Sequence, residues 1–490
     1  MNRVAEDVWI GIDLGTQSVR VIAVNEQGLV LGEAARSLTS QRNGLRHTQD
    51  PREWWTATCQ AAREALAGVS GQHRGVSICG TSGTIVLVDK TGNPVSPGIM
   101  YDDGRAHSEL QQVNEAGEST WSKLGYRRMQ TVWGLPKLLW LLKQGQPKET
   151  RLAHQVDIIT RGLAGHPVAS DLSNALKSGC DLIEEAWPLD VFDALDIPAD
   201  MLPALVRSGS TIGSVDRNGA DLSGIAEGTA IISGLTDGCA SQLSSGATEV
   251  GSWNTVLGTT LVFKGKTHNL VRDPNGVVYS HRAPDGGWLP GGASSAGAGA
   301  LTAYLPGADL EGLSRAAPTF DEYSGIGYPL VSKSGERFPF VHSGAYSFLS
   351  GRATNDAEIY AELTRGMAAM ERLCFDYLDY LGAPTDGTIS LTGGASRSDH
   401  LNQLRSNMLG RELVVPRIAQ PAIGMAVLAA SSRLGHETAS RDMISIGSRY
   451  EPEHSQQAQA LEEYVEFVNV LESRGWLPSS TSNHARGRVS

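Results

Sequence analysis

Two aspartates in this 490-residue chain, Asp13 and Asp237, each close an apolar run and each precede a glycine by one or two positions. A carboxylate displayed in that way can accept a proton from a hydroxyl, or sit beside a divalent cation or its water shell. Around Asp13, the tip Leu14-Gly15-Thr16 and the following Gln17-Ser18 offer backbone N–H groups and two hydroxyls in little space, which suits phosphate oxygens. Asp237 stands between the apolar run Ala230 to Ser233 and a small-residue segment beginning at Gly238. That places it at a strand end and a helix start, where the helix dipole favours anions. Each has a plain structural alternative: Asp13 as the acid at a hairpin bend, Asp237 as a helix cap.

Four further clusters carry polar groups. Gly80-Thr81-Ser82-Gly83-Thr84 lies between apolar Val76 to Cys79 and Ile85 to Val88, and either holds a hydroxylated ligand or connects two strands. Asp102-Asp103-Gly104-Arg105 sets carboxylates and a guanidinium around a glycine. Asp103 and Arg105 are a matched acceptor and donor pair for sugar hydroxyls, or Asp103 caps the next helix. Gly258-Thr259-Thr260 forms the tip of a second strand–turn–strand unit, Trp253 to Phe263. Gly393-Gly394-Ala395-Ser396-Arg397 falls between a strand, Ile389 to Thr392, and a helix, His400 to Leu409, so a nucleotide can lie against bare backbone there.

The elements that position these groups follow from periodicity and turn chemistry. β-branched runs on either side of Gly15 predict a hairpin from Trp9 to Val24, with a third arm at Leu29 to Ala34. Asp50 as N-cap, Pro51 in the first turn and Glu53 as capping-box acid predict a helix to about Ala67. Leu135 to Leu142 is expected as a core helix, Asp157 to Ile159 as a strand, and Ser170 to Ala175 as a turn. A long helix from Ala357 to Leu381 should bury Met367, Met370, Leu373 and Tyr377. Leu413 to Val415 reads as a further strand and Ile423 to Ala430 as a small-residue helix of the second half; Ser479 to Ser490 reads as disordered. The hairpin at Gly258 repeats the opening one, which suggests an internal duplication with its boundary near residues 240–250.

Such a length exceeds one core, and two large domains are expected. A net charge of −12 disfavours a nucleic-acid or membrane-surface partner. No apolar run reaches membrane-spanning length and Met1 to Asp7 lacks a signal-peptide core, so a cytoplasmic protein is expected. The five cysteines, Cys59, Cys79, Cys180, Cys239 and Cys374, follow no metal spacing and read as buried residues of a reduced compartment.

Asp13-Leu14-Gly15-Thr16, Gln49-Asp50-Pro51 before Trp54-Trp55, Asp103-Gly104-Arg105-Ala106, Thr236-Asp237-Gly238, Gly258-Thr259-Thr260 and Gly393-Gly394-Ala395-Ser396 follow one another across nearly the whole chain. This ordered set resembles the FGGY carbohydrate kinases. The resemblance implies an α/β fold of two actin-like, ribonuclease-H-like ATPase domains with an active-site cleft between them. The N-terminal domain would span 1–245, the C-terminal domain 246–478, with the tail at 479–490. It implies ATP and Mg²⁺ as cofactors, a small-molecule sugar as partner, and phosphorylation of a sugar hydroxyl; a homodimer is one assembly it allows. Carried over by position, Asp237 would be the general base, and Asp13 would hold the metal through water and face the sugar. Gln17, Ser18, Val19, Arg20, Ser82, Asp103 and Arg105 would line the sugar side. Gly15, Thr16, Gly258, Thr259, Thr260, Gly393, Gly394, Ala395, Ser396 and Arg397 would meet ATP.

Where xylulokinases of the family carry a Gln-Met-His-Gly segment, this chain has Thr81-Ser82-Gly83-Thr84; where they carry Trp-Asn-Asp, it has Tyr101-Asp102-Asp103. Both segments look more like the D-ribulokinases of cyanobacteria and plants, so the expected acceptor is a ketopentose, D-ribulose first and D-xylulose second. No Arg-Glu pair matches the glycerol clamp of glycerol kinases. The rivals from other classes are a non-kinase actin-like ATPase and a sugar-binding regulator without catalysis. The fold alone would allow the first, while the presence of Asp13, Thr16 and Asp237 disfavours the second.

Overall fold

The structure, a computed structural model, describes residues 6–145, 149–317, 325–349, 351 and 353–489. Residues 1–5 of the N-terminal stretch and Ser490 of the expected tail lie outside the described residues. The chain forms two compact units. The first comprises Met1–Gly246, His281–Leu289 and Ile418–Ser445; the second comprises Ala247–Ser280, Pro290–Arg417 and Ile446–Ser490. The sequence treats each half as one continuous stretch, and here the structure differs.

The first unit is built on a six-stranded sheet in the order Thr211–Ser214, Ala230–Thr236, Gln72–Gly80, Asp7–Leu14, Ser18–Val24, Val30–Ser37. Asp7–Leu14 and Ala230–Thr236 both run parallel to Gln72–Gly80, and their register sets Leu14 and Thr236 on either side of Gly80. Three consecutive loops therefore start from one edge of the sheet, where parallel sheets display functional groups. Both faces are covered, as a continuous apolar run in a parallel strand requires. Ile10, Ile12 and Leu14 pack with Trp54, Ala57 and Ala61 of the helix Pro51–Ala65 on one side. Trp9 packs with Ala422, Ala426 and Ala429 of the helix Pro421–Leu434 on the other. That second helix is the small-residue helix expected in the second half. It lies so close that a Cβ on Gly11 would come 1.7 Å from the Ala422 carbonyl oxygen, and one on Gly424 2.2 Å from that of Ala240.

Other expectations change for local reasons. Asp157 to Ile159 is not a strand but part of the helix Gln155–Ala164, entered through a His154–Asp157 capping box and ended at Gly165 with φ 76°. Asp50 does cap the helix Pro51–Ala65, through the Arg52 N–H. Glu53 completes no capping box; its carboxylate instead accepts from the backbone and hydroxyl of Thr39. Ser170 to Ala175 forms a two-residue strand, Ser170–Asp171, and one helical turn, Leu172–Ala175.

In the second unit the central strands run in the order Leu261–Gly265, Trp253–Leu257, Ile389–Thr392, Leu413–Pro416, Ile446–Tyr450. As in the first unit, an antiparallel hairpin opens the sheet and its first strand pairs in parallel with a later one. The helix Asp356–Tyr380 buries Met367, Met370, Leu373 and Tyr377 as its periodicity predicts. The tail is ordered rather than disordered. Ser479–Gly487 is a helix that buries Thr481, Ser482 and Ala485, and it is tied down by Arg486 to Glu472 at 2.7 Å and His484 to Asp379 at 2.9 Å. Charged anchors rather than an apolar stripe hold it, which explains why its composition concealed it. All five cysteines are free and buried.

Candidate active site

Asp13, the last residue but one of the strand Asp7–Leu14, is in register with Arg20 across the hairpin and with Cys79 on the neighbouring parallel strand. The Cys79 thiol donates to Asp13 Oδ1 at 3.5 Å. Burial, reinforced by the charge of Asp237, pushes the Asp13 carboxyl up to about 6. Cys79 is fully buried, and the same two carboxylates help burial hold its thiol well above its ordinary value. Two carboxylates that repel one another in a poorly solvated place are a setting a divalent cation relieves. Among the described residues no three His, Cys, Asp or Glu side chains cluster to cage a metal. The two neighbouring carboxylates fit Mg²⁺, which takes few protein carboxylates and keeps water and phosphate oxygens as ligands.

At the hairpin tip the Gly15 N–H donates to the Ser18 carbonyl at 3.1 Å. Gln49 braces it: its Nε2 donates to the Thr16 carbonyl at 2.6 Å, while its Oε1 accepts from the Trp54 indole at 2.6 Å. This gives the Gln49-Asp50-Pro51 segment its physical purpose, since one residue clamps the tip and the next caps the supporting helix. Gly15, Thr16 and Ser18 are half-buried and Gln17 is exposed. Val19 is fully buried in the core, so its side chain cannot line a sugar site as expected. The Arg20 guanidinium is occupied by Glu33 and Gln420, each at 2.9 Å.

Asp237 is the first residue of the helix Asp237–Ser244, and the capping position belongs to Thr236. Its Oδ1 accepts from the Gly238 N–H at 2.7 Å. Behind it, Ser173 Oγ accepts from the Thr236 N–H at 3.1 Å and bonds His281 Nδ1 at 3.1 Å. Tyr101 is a site residue to which the sequence assigned no role. Burial and the charges of Asp102 and Asp237 raise its phenol, whose oxygen also bonds the Thr16 side chain. It joins the hairpin tip to the surroundings of Asp237, and the sequence signal for it was its place in the Tyr101-Asp102-Asp103 segment that departs from the xylulokinase pattern.

The expectation that Asp103 takes a sugar hydroxyl is corrected. Its side chain has no exposure, and its oxygens receive the His47 N–H at 2.6 Å, the Arg105 N–H at 3.0 Å and the Arg105 guanidinium at 2.6 Å. Burial works to raise this carboxyl, yet the Arg105 and His47 donors hold it below the usual carboxylate range. Arg105 in turn lies over the Trp140 ring, 5.1 Å from its centroid. The pair is an internal brace for the loop after Met100. Ser82, in the loop beyond Gly80, is different: its Oγ is buried and has no hydrogen-bond partner among the described residues.

In the second unit the two glycine turns come together. Gly393 has φ 87°, and a Cβ there would fall 2.6 Å from the Leu257 carbonyl oxygen, directly before the Gly258-Thr259-Thr260 tip. Gly258 N–H donates to the Thr260 carbonyl at 3.0 Å, closing the tip and leaving Thr259 exposed. Gly394–Arg397 forms a 3₁₀ turn, with Gly394 exposed and Ser396 Oγ donating to the Gly393 carbonyl at 2.8 Å. Beside it opens a cavity of about 720 Å³ lined by Arg397, His400, Gln403, Arg315 and Ser314 among others. Bare backbone next to a roomy polar cavity suits a nucleotide.

The family model for the FGGY family of carbohydrate kinases, N-terminal domain, matches residues 8–244, and that for the C-terminal domain matches residues 253–433. The chain belongs to the FGGY family of carbohydrate kinases. FGGY kinases use ATP, with Mg²⁺. A xylulose kinase from Klebsiella pneumoniae is 29% identical over 442 residues, covering 86% of this chain and 89% of that protein. The Escherichia coli K12 xylulose kinase is 27% identical over the same coverage. Among solved structures, gluconate kinase from Lactobacillus acidophilus superposes with a TM-score of 0.84 at 18% identity, covering 96% of this chain and 98% of that one. Xylulose kinase from Rhodospirillum rubrum does so with a TM-score of 0.84 at 21% identity, covering 95% and 98%. These two likenesses establish the two-domain kinase fold. Among the described residues no helix is long and apolar enough to cross a membrane.

Proposed function

We propose that this FGGY kinase transfers the γ-phosphoryl group of ATP to a primary hydroxyl of a ketopentose, with Asp237 as general base. The observation that carries the reading is the juxtaposition at one sheet edge: Asp237 is the first residue of a helix, after the cap position at Thr236, and close enough to Asp13 to raise that carboxyl. A primary hydroxyl is a weak nucleophile at neutral pH. The Asp237 carboxylate, one oxygen held by the Gly238 N–H, accepts its proton as the sugar oxygen bonds phosphorus and the bond to the ADP oxygen breaks. Asp13 is the carboxylate assigned to Mg²⁺, through water; the ion neutralises phosphate charge when bound. The first unit is assigned the acceptor and the base. The second is assigned the nucleotide, along the backbone of Gly258 to Thr260 and Gly393 to Arg397.

The names of the relatives favour D-xylulose, which reverses the order expected from the sequence. D-ribulose stays in view because the Thr81-Ser82-Gly83-Thr84 loop departs from the xylulokinase pattern at the edge where Asp13 and Asp237 lie. Values of kcat/KM for D-xylulose, D-ribulose, erythrulose, ribitol and glycerol with ATP test the reading. One of the two pentuloses should lead, because a site built to bond each hydroxyl rejects analogues that misplace or lack one by orders of magnitude. Glycerol or ribitol as the best acceptor would overturn it.

A further inference from the structure

The loop Thr81 to Thr84 is gripped from three sides by long side chains far away in sequence. Gln155, at the start of the helix Gln155–Ala164 and without exposure, accepts through Oε1 from the Thr81 N–H at 2.9 Å and from the Thr81 hydroxyl at 2.8 Å. Lys137 is likewise fully buried and donates to the carbonyls of Gly83 at 3.1 Å and Met100 at 2.6 Å, joining this loop to the one that carries Tyr101. Lys177 donates to the Ser82 carbonyl at 3.2 Å. The Thr81 and Thr84 hydroxyls bond each other at 2.6 Å, and Gly83 has φ 92°, a conformation that favours glycine. The Thr81 and Thr84 hydroxyls and the carbonyls of Ser82 and Gly83 are thus all bonded, whereas the Ser82 hydroxyl is buried and has no partner among the described residues. A buried hydroxyl without a partner is costly unless a ligand completes it.

We propose that Gln155 is a positioning residue for acceptor selection: by fixing Thr81 it sets where Ser82 meets the sugar, without touching the sugar itself. This rests on the pentulose-kinase reading. The clamp bonds are made by the oxygen of the Gln155 amide, while Nε2 has no partner among the described residues. A displacement of the order of 1 Å in such a loop is enough to change acceptor binding severely.

The test compares Gln155→Leu, Gln155→Glu and Thr81→Val with the wild type. The readouts are KM for the sugar, KM for ATP and the kcat/KM ratio between the wild type's two best acceptors. A best acceptor that is not a pentulose overturns the pentulose reading and leaves this comparison intact. Gln155→Leu should raise sugar KM about tenfold and shrink the ratio, with KM for ATP within about twofold of wild type. Gln155→Glu retains an oxygen for both Thr81 donors and should preserve the ratio. Should Gln155→Leu not fold, Thr81→Val decides, since it removes the hydroxyl bonds of Thr81 to Gln155 and to Thr84 and should shift the ratio in the same direction. An unchanged ratio in the Leu or Val variant overturns the proposal. So does a lost ratio in Gln155→Glu, which would make Nε2 a sugar contact.

Discussion

Asp237→Asn is expected to lower kcat by about 10²- to 10⁴-fold, the usual cost of removing a general base. KM for ATP and the melting temperature should stay near wild type. The amide is isosteric with the carboxylate, and its oxygen can still accept from the Gly238 N–H. The helix start is preserved, because Thr236 still occupies the cap position and the amide keeps the bond from the Gly238 N–H. A purely structural role would therefore leave turnover intact, while a base role abolishes most of it. Steady-state kinetics with saturating pentulose and ATP, alongside thermal melting, separates the two. Wild-type turnover in a folded Asn variant would remove Asp237 from the mechanism.

Asp13→Asn should weaken Mg²⁺-dependent activity by about 10- to 100-fold, the range seen for groups that hold a metal through its outer shell. It should also stabilise the protein at neutral pH. Burial and the charge of Asp237 hold the Asp13 carboxyl up at about 6 in the folded protein, against an ordinary value of 3.8. Between those values the folded state holds the proton more tightly, so stability falls as pH rises through the window from about 4 to about 6. At pH 7 the ionised carboxylate costs the full difference. A shift of about two units sets an upper limit of ~3 kcal/mol at ~1.4 kcal/mol per unit. Without Mg²⁺ or nucleotide, the Asn variant should melt a few degrees above wild type at pH 7 and show no gain at pH 4. A variant that melts below wild type at pH 7 would contradict the strained-carboxylate picture.

Asp13 and Asp237 were legible because an apolar, β-branched run that stops at an acid and a glycine has few structures open to it. The sheet edge that gathers the two follows from parallel pairing with Gln72–Gly80. The glycine turns at 258 and 393 were legible for the same reason, since close backbone approach leaves no room for a side chain. What sequence could not give was the direction of individual side chains and their distant partners. Val19 faces the core because strand alternation puts it beside Val21, and Asp103 points inward because His47 and Arg105 supply donors there. Gln155 lies 74 residues from Thr81, and Gln420 lies 400 from Arg20. Asp157 to Ile159 was a short apolar run, which periodicity alone cannot divide between strand and helix. The return of Ile418–Ser445 to the first unit rests on a groove lined by glycine and alanine on both sides, a match of two surfaces that neither segment announces by itself.

Phosphorus-31 NMR of the wild-type protein with ATP, Mg²⁺ and either D-xylulose or D-ribulose tests the central claim most directly. ADP and a sugar-phosphate monoester should accumulate together in equal amounts, and ATP should persist when the sugar is left out. Inorganic phosphate in place of the ester, or ADP formed as fast without sugar as with it, would contradict phosphoryl transfer to a pentulose.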